Sequence, residues 1–154
     1  MTVEKQFKIL FISSWYPNKL EPTNGNFVQR HAEAVATLHQ VEVLHAIGNQ
    51  EQKERFVFDE KVIHGIRTLV VYYKNTKNPL LNFYRRMKAY KIGFQRMSFP
   101  NLIHGNVLHN NMFFAVYLKK KYSIPFVITE HWTALRQKNA HITPKAVQIT
   151  ARII

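Results

Sequence analysis

The 154-residue sequence has no cysteine, which excludes disulfides and thiolate metal sites and makes a cytoplasmic setting the economical expectation. It has no apolar run approaching the roughly 18 residues a membrane-spanning helix needs. The opening segment "MTVEKQFKILFISS" places a Glu ahead of an apolar stretch too short for a secretory signal. Acidic residues are scarce: 9 Asp and Glu stand against 22 Lys and Arg, a formal net charge of +13. Such an excess favours polyanions, whether nucleic acid, an acidic membrane surface or phosphorylated small molecules, and does not choose among them. There is no G-x-G-x-x-G and no H-E-x-x-H. His104 and His109 would not share a helix face, so no metal site is expected.

What is present fits one globular domain, with 46% hydrophobic and 20% charged residues. "FKILFIS" is apolar nearly throughout, as a strand covered on both faces should be. Phe27, His31, Ala34, Val35 and Leu38 then fall at helical spacing, and "QVEVLHAI" supplies a second strand, so a right-handed strand-helix-strand unit opens the chain. "FVFDEKVIHGIRTLVVYY" reads as two extended segments, the first ending near Asp59 and the second spanning 66–73. Pro79 starts a helix whose apolar positions recur over 80–99, until Pro100 stops it. That helix carries Arg85, Arg86, Lys88, Lys91 and Arg96, either as a solvated face or as a basic surface for an anionic membrane. "NLIHGNV", "NNMFFAVYLKKKYS" and "IPFVITEHW" follow as strand, helix and strand. The alternation predicts an α/β, Rossmann-like parallel sheet with helices on both faces. A last helix begins at Thr143-Pro144, and the pattern runs on to Ile153-Ile154 uncapped, as in a chain cut from a longer one.

In an open α/β sheet, ligands bind beyond the carboxyl ends of the strands. Three such ends here are polar: the long loop over 13–25, "HGNVLHNN", and "TEHW". Strand-to-helix loops usually run about two to six residues, so the first is long enough to suggest a role. Asn24-Gly25-Asn26 either caps the following helix or offers its free amides and dipole to an anion. Glu130 and His131 follow a buried strand and face the crevice, unless His131 is an ordinary loop histidine. Trp132 is a pocket wall or a core residue. At the second strand end, His104 is expected to be satisfied in the core, leaving Asn106 as the site candidate.

"KILFISSWYPNKLEPTNGNFVQRHAEAVA" and "NLIHGNVLHNNMFFAVYLKKKYSIPFVITEHW", with their separation, resemble the N-terminal domain of family 4 glycosyltransferases. These are retaining enzymes of the two-domain GT-B fold. The resemblance spans nearly the whole chain. It implies that residues 1–154 form the single N-terminal, acceptor-side domain, with the C-terminal donor-binding domain absent. The whole enzyme would move a sugar from a nucleotide-diphosphate sugar to a saccharide or lipid-linked acceptor. The nucleotide sugar is then a substrate, and no cofactor or metal is required.

Residue by residue, the resemblance implies that Gly25 and Asn26 face the donor diphosphate, while Asn106 and Met112 border the acceptor cleft. His131 would contact the transferred sugar, supported by Glu130. Trp15, Tyr16 and Pro17 would position the backbone that meets donor and acceptor. Three departures stand out. Gly25 is followed by Asn26 where many relatives have a second glycine, and Asn106 stands where many have a second histidine. No two glutamates lie eight positions apart, as a pair in the family's other domain does. The fragment alone is therefore expected to be inactive, and a peripheral position on the inner face of a membrane fits its charge. The alternative is a basic, non-catalytic module for nucleic acid or a membrane surface. The aromatics do not interleave with the basic residues as a stacking platform requires, so no specific nucleic-acid partner is expected.

Overall fold

The computed structural model describes residues 6–130. Six strands and three helices follow in the order β1 (Lys8–Ser13), α1 (Asn26–Ala36), β2 (Gln40–Asn49), β3 (Phe56–Ile63), β4 (Ile66–Lys74), α2 (Pro79–Phe94), β5 (Leu102–Asn106), α3 (Met112–Tyr122) and β6 (Phe126–Thr129). They build a single sheet of order β3-β4-β2-β1-β5-β6. From β1 the chain moves outward through β2 to β4, then returns to place β5 on the other side of β1. The order reverses between β1 and β5, and a doubly wound sheet opens its crevice at such a point.

Successive side chains of the central strands enter opposite layers. Leu10, Ile12, Leu44, Leu69 and Val71 pack beneath α2 and α3 with Tyr90, Phe114 and Leu118. Ile9, Phe11, Val41, Val43 and Ile66 pack beneath α1 with Val28 and Ala32. Each fully buried side chain of this size contributes about 2 kcal/mol, so both layers hold the sheet. The expected Rossmann-like α/β sheet with helices on both faces is what the chain forms.

Three details differ from the sequence reading. The sheet is not wholly parallel: β3 runs antiparallel to β4, while the other strands are parallel neighbours. β3 also continues to Ile63, past Asp59, and joins β4 through His64 and Gly65 at φ 49° and 80°. Two central residues at positive φ form the tight turn that matches hairpin twist. Its Asp59, Glu60 and Lys61 keep this edge strand from pairing further. Secondly, α2 stops at Phe94 rather than at residue 99. Its start is strong, with Pro79 in the first turn and the Asn78 side chain accepting from the Leu80 and Leu81 amides. Past its end, the Arg96 carbonyl accepts from Arg67 and the Ser98 amide donates to Glu42, so tertiary bonds replace the next helical turn. Thirdly, α1 buries Val28 and Ala32, leaving Leu38 exposed beyond its last turn.

Candidate functional site

The reversal point is built from the last residues of β1 and β5, since Ser13 and Asn106 are register partners. The Ser13 carbonyl is a junction between the two layers. It accepts from Nδ1 of His45 at 2.9 Å and from the Tyr90 hydroxyl at 3.1 Å, and His45 and Tyr90 are both fully buried. Burial holds the His45 imidazole down to about 4 against the pull of its bond to Ser13, so it is neutral and its proton sits on Nδ1. Burial likewise pushes the Tyr90 hydroxyl well above its ordinary range. The Ser13 hydroxyl donates to the Trp15 carbonyl at 2.6 Å, turning the chain sharply off the strand.

The long loop is then pinned at its far end by Gly25. Its φ is 74°, and an added Cβ would lie 2.4 Å from the Trp15 carbonyl carbon and 2.7 Å from the Tyr16 nitrogen. Only glycine lets the two backbone segments touch. Asn24 does not cap α1: it donates to Glu21, and no side chain caps the helix. Tyr16 is buried in the layer under α1, while the Trp15 ring meets Phe27 edge-on. The length of the loop therefore serves to present Trp15 and Glu21 at the rim.

Beyond β5 the chain turns through Val107 at φ 65°, a strained setting for a β-branched residue and one that clusters at functional sites. The Val107 amide donates to the Thr129 carbonyl, and the Leu108 amide donates to the Glu130 carboxylate. Glu130 thus ties the end of β6 to the loop after β5. Asn111 then closes the ring, accepting a short bond from the Ser14 hydroxyl. Three strand ends are joined in this way by hydrogen bonds between residues far apart in sequence.

Over this junction lies a hollow of about 220 Å³, whose lining includes Ser14, Trp15, Glu21, Arg86, His109 and Asn111. Its chemistry is mixed: an aromatic wall, a carboxylate, a guanidinium and an amide. Arg86 donates through Nε to the Tyr73 hydroxyl at 3.0 Å, which aims it from α2 to the rim. Burial, aided by the Arg86 charge, lowers the His109 imidazole pKa. Nδ2 of Asn111 and Oδ1 of Asn106 are buried without a hydrogen-bond partner. An orphaned donor in the wall of a hollow is a standing invitation to a ligand or water oxygen.

Of the residues named from sequence, Trp15 lines this hollow directly. Gly25 lies beneath Trp15, Asn106 is buried at the strand end, and Glu130 holds the neighbouring loop. Asn26 is exposed at the start of α1. Met112 is fully buried in the layer under α2 and α3, seated against Gly105, where an added Cβ would come within 2.5 Å of its sulfur. It supports the strand end from below rather than bordering open space. His104 is satisfied, with Nε2 2.7 Å from the Thr129 hydroxyl and its ring on Phe11. His131, Trp132 and the helix expected from Thr143 lie outside the described residues. Sequence reasoning missed Arg86, Glu21, Asn111 and Tyr90 as lining residues. Arg86 and Tyr90 are one turn apart on α2, which was the available signal.

A larger hollow of about 400 Å³ sits at the opposite, amino edge of the sheet, between Lys8, Gln40, Glu42 and Arg67. Two of its charged groups are committed to each other: Arg67 binds Glu42 as well as Glu60, and Glu42 also holds Ser98. The smaller hollow, at the reversal point and with unspent hydrogen-bonding atoms, is the better site despite its size. Among the described residues no group of His, Asp or Glu converges as metal ligands do.

No protein-family model matches the chain, and no curated protein does. Solved structures that share its fold include two with different names. The C-terminal domain of a hydrogenase from Pyrococcus furiosus superposes with a TM-score of 0.58 at 18% identity, over 86% of this chain and 96% of that one. Sucrose-phosphate synthase from Thermosynechococcus elongatus gives a TM-score of 0.56 at 13% identity, over 96% of this chain. The chain spans 39% of the length of that synthase. At such identities both likenesses establish the Rossmann-like fold, and their two different names show that this fold alone does not select an activity.

Proposed function

We propose that this chain is the acceptor-side domain of a retaining glycosyltransferase of the family 4, GT-B type. The supporting observation is the closed ring of loops at the reversal point, around a hollow with an aromatic wall and an unpartnered amide. A sugar offers an apolar ring face and several hydroxyls, and Trp15, Asn111 Nδ2, Glu21 and Arg86 supply the matching stacking surface, donors and acceptor. The volume falls below the ~300–1,000 Å³ of a complete ligand pocket, as suits one wall of a cleft whose other wall belongs to a donor-binding domain. In this reading the nucleotide-sugar diphosphate meets the uncapped start of α1 at Gly25 and Asn26, where the helix dipole stabilises the leaving charge. Glu130 acts as a positioning residue for the acceptor loop and for His131 next to it. The acceptor is a saccharide or a lipid-linked saccharide, and attack on the face the nucleotide leaves retains the anomeric configuration.

Ligand-observed NMR with neutral and charged saccharides and with nucleotide sugars tests this. Saccharides should bind the chain, and Trp15→Ala should weaken them about tenfold through the lost stacking. The isolated chain should transfer no sugar. Saturable binding of random oligonucleotides with no response to any saccharide would favour the nucleic-acid alternative. Robust transfer by the chain alone would refute the half-site.

A further inference from the structure

A third and larger depression lies between α2 and α3. It has about 660 Å³ of space, and its lining includes Phe83, Tyr84, Met87, Ile92, Phe113 and Tyr117. Apolar residues at the start of α2 stand out beside it into solvent: Leu80 is 80% exposed and Tyr84 59%. Leu80, Tyr84, Lys88, Lys91 and Gln95 recur three or four apart, forming one outward stripe that is apolar at its start and cationic further along. Lys88 and Lys91 form part of the wall of the depression. One turn beyond Tyr117 of the other wall, Lys121 lies 5.7 Å from the centre of the Tyr117 ring. Neither helix contains a single acidic residue. Monomeric surfaces rarely leave an apolar trough of this kind open, and one rimmed by cations alone has a narrow range of complementary partners.

We propose that the α2–α3 trough docks on an anionic lipid bilayer, with Leu80 and Tyr84 entering the acyl layer and Lys88, Lys91 and Lys121 meeting the lipid phosphates. Charge complementarity selects this occupant. A second copy of the same surface would bring lysine against lysine, whereas an anionic leaflet offers apolar depth and negative charge in one plane. Long lysine stems suit this boundary, because they cover apolar surface while the ammonium groups reach outward. Among the described residues no helix is long and apolar enough to cross a membrane, so the contact is peripheral. The trough adjoins the hollow through α3, since Asn111 lines the one and Phe113 the other. A lipid-linked substrate held at the bilayer would therefore arrive beside the site, but the docking itself does not depend on the transferase reading.

Sedimentation of the full 154-residue chain with phosphatidylcholine vesicles, with and without phosphatidylglycerol, tests the proposal. Binding should require the anionic lipid and weaken with salt. Lys88→Glu with Lys91→Glu should reduce it tenfold or more by the usual contribution per lysine, about 1 kcal/mol near such a surface. Lys53→Glu with Arg55→Glu, an equal charge change away from the trough, should reduce it much less. Leu80→Ser with Tyr84→Ser removes exposed side chains without touching the core and should also weaken binding. Tyr84→Trp should show emission quenched by brominated acyl chains. Equal loss in both charge variants, equal binding to neutral vesicles, or a lipid-free dimer broken by the Leu80 and Tyr84 changes would each overturn the proposal. No sugar transfer is measured, so failure here leaves the transferase reading intact.

Discussion

The two edges of the sheet handle polar groups in opposite ways. At the amino edge they remain near solvent and pair with one another. Arg67 reaches Glu60 at 2.7 Å, Glu42 at 3.2 Å and the Arg96 carbonyl at 2.7 Å, while Asn101 holds the Lys8 amide. At the carboxyl edge polar groups enter the core. Ser13, His45, Asn106 and Asn111 are all buried, and three of them keep an atom with no partner. At the amino edge the matching list, among the described residues, is Nδ1 of His39 alone. Each buried orphan costs about 1–3 kcal/mol, so their gathering at one edge is a substantial stability sacrifice. A fold keeps such a cost where a ligand or water makes up the missing bond. Cavity size ranks the edges the other way, and the difference in unspent hydrogen bonds is the better guide.

The comparison breaks or holds first at its two glycines. Gly25 and Gly65 both have positive φ, 74° and 80°. An alanine at either pays the left-handed strain of about 1–2 kcal/mol. At Gly65 the added methyl meets nothing within 4 Å, and the stiffer unfolded chain offsets part of the strain. At Gly25 it meets the Trp15 backbone, which cannot step aside, adding about 1–3 kcal/mol of overpacking. Urea unfolding should therefore show Gly25→Ala destabilised by about 3–4 kcal/mol and Gly65→Ala by about 1 or less. Equal effects would mean that the long loop is not pinned as described.

The next contrast is in pH. The ordinary histidine value of 6.5 describes His45 in the unfolded chain, and burial lowers it to about 4 in the folded one. Because the folded pKa is the lower, the unfolded state binds more protons in this window. Stability is full above pH 6.5 and drains as pH falls towards 4, at about 1.4 kcal/mol per pH unit and about 3 kcal/mol in all. His109, lowered by burial, adds to the loss in the same sense. His45→Gln keeps a donor for the Ser13 carbonyl but cannot titrate, so its stability profile should be flatter over that range. An unchanged slope in the variant would move the acid sensitivity elsewhere.

Much of the carboxyl edge was legible in the chain, but most of its lining, Trp15 apart, was not. "FKILFIS" and "NLIHGNV" announce buried strands because they are apolar on both faces, and strand ends locate the crevice by topology alone. Asn106 was placed at the end of its strand in this way. Arg86 was not found, because the sequence groups it with Arg85, Lys88, Lys91 and Arg96 as basic residues of one helix, and only the bond to the Tyr73 hydroxyl shows its guanidinium turned towards the rim. Met112 differs in the other direction: the family resemblance implies the cleft border for it, yet the missing side chain of Gly105 makes room for it in the core. The β3–β4 hairpin was hidden for a similar reason. His64-Gly65 forms a tight turn only if both residues accept positive φ, and histidine gives little sign of that in sequence. Periodicity describes one element at a time, and these features depend on contacts between two.

The smallest effect should come from the amino edge. Arg67 is the centre of its network, and its pKa is raised chiefly by the bond to Glu60. Both partners remain partly exposed, so water and salt screen them, and exposed ion pairs of this kind contribute about 0–1 kcal/mol. Arg67→Met keeps much of the aliphatic stem over the start of β4 and removes the charge. It should lower stability by about 1 kcal/mol, with the difference shrinking as salt rises towards molar concentrations. It should leave saccharide binding at the opposite edge unchanged, whereas Trp15→Ala should weaken binding and leave stability nearly intact. Loss of binding in Arg67→Met would show that the two edges are coupled through the sheet, and the division of labour between them would fail.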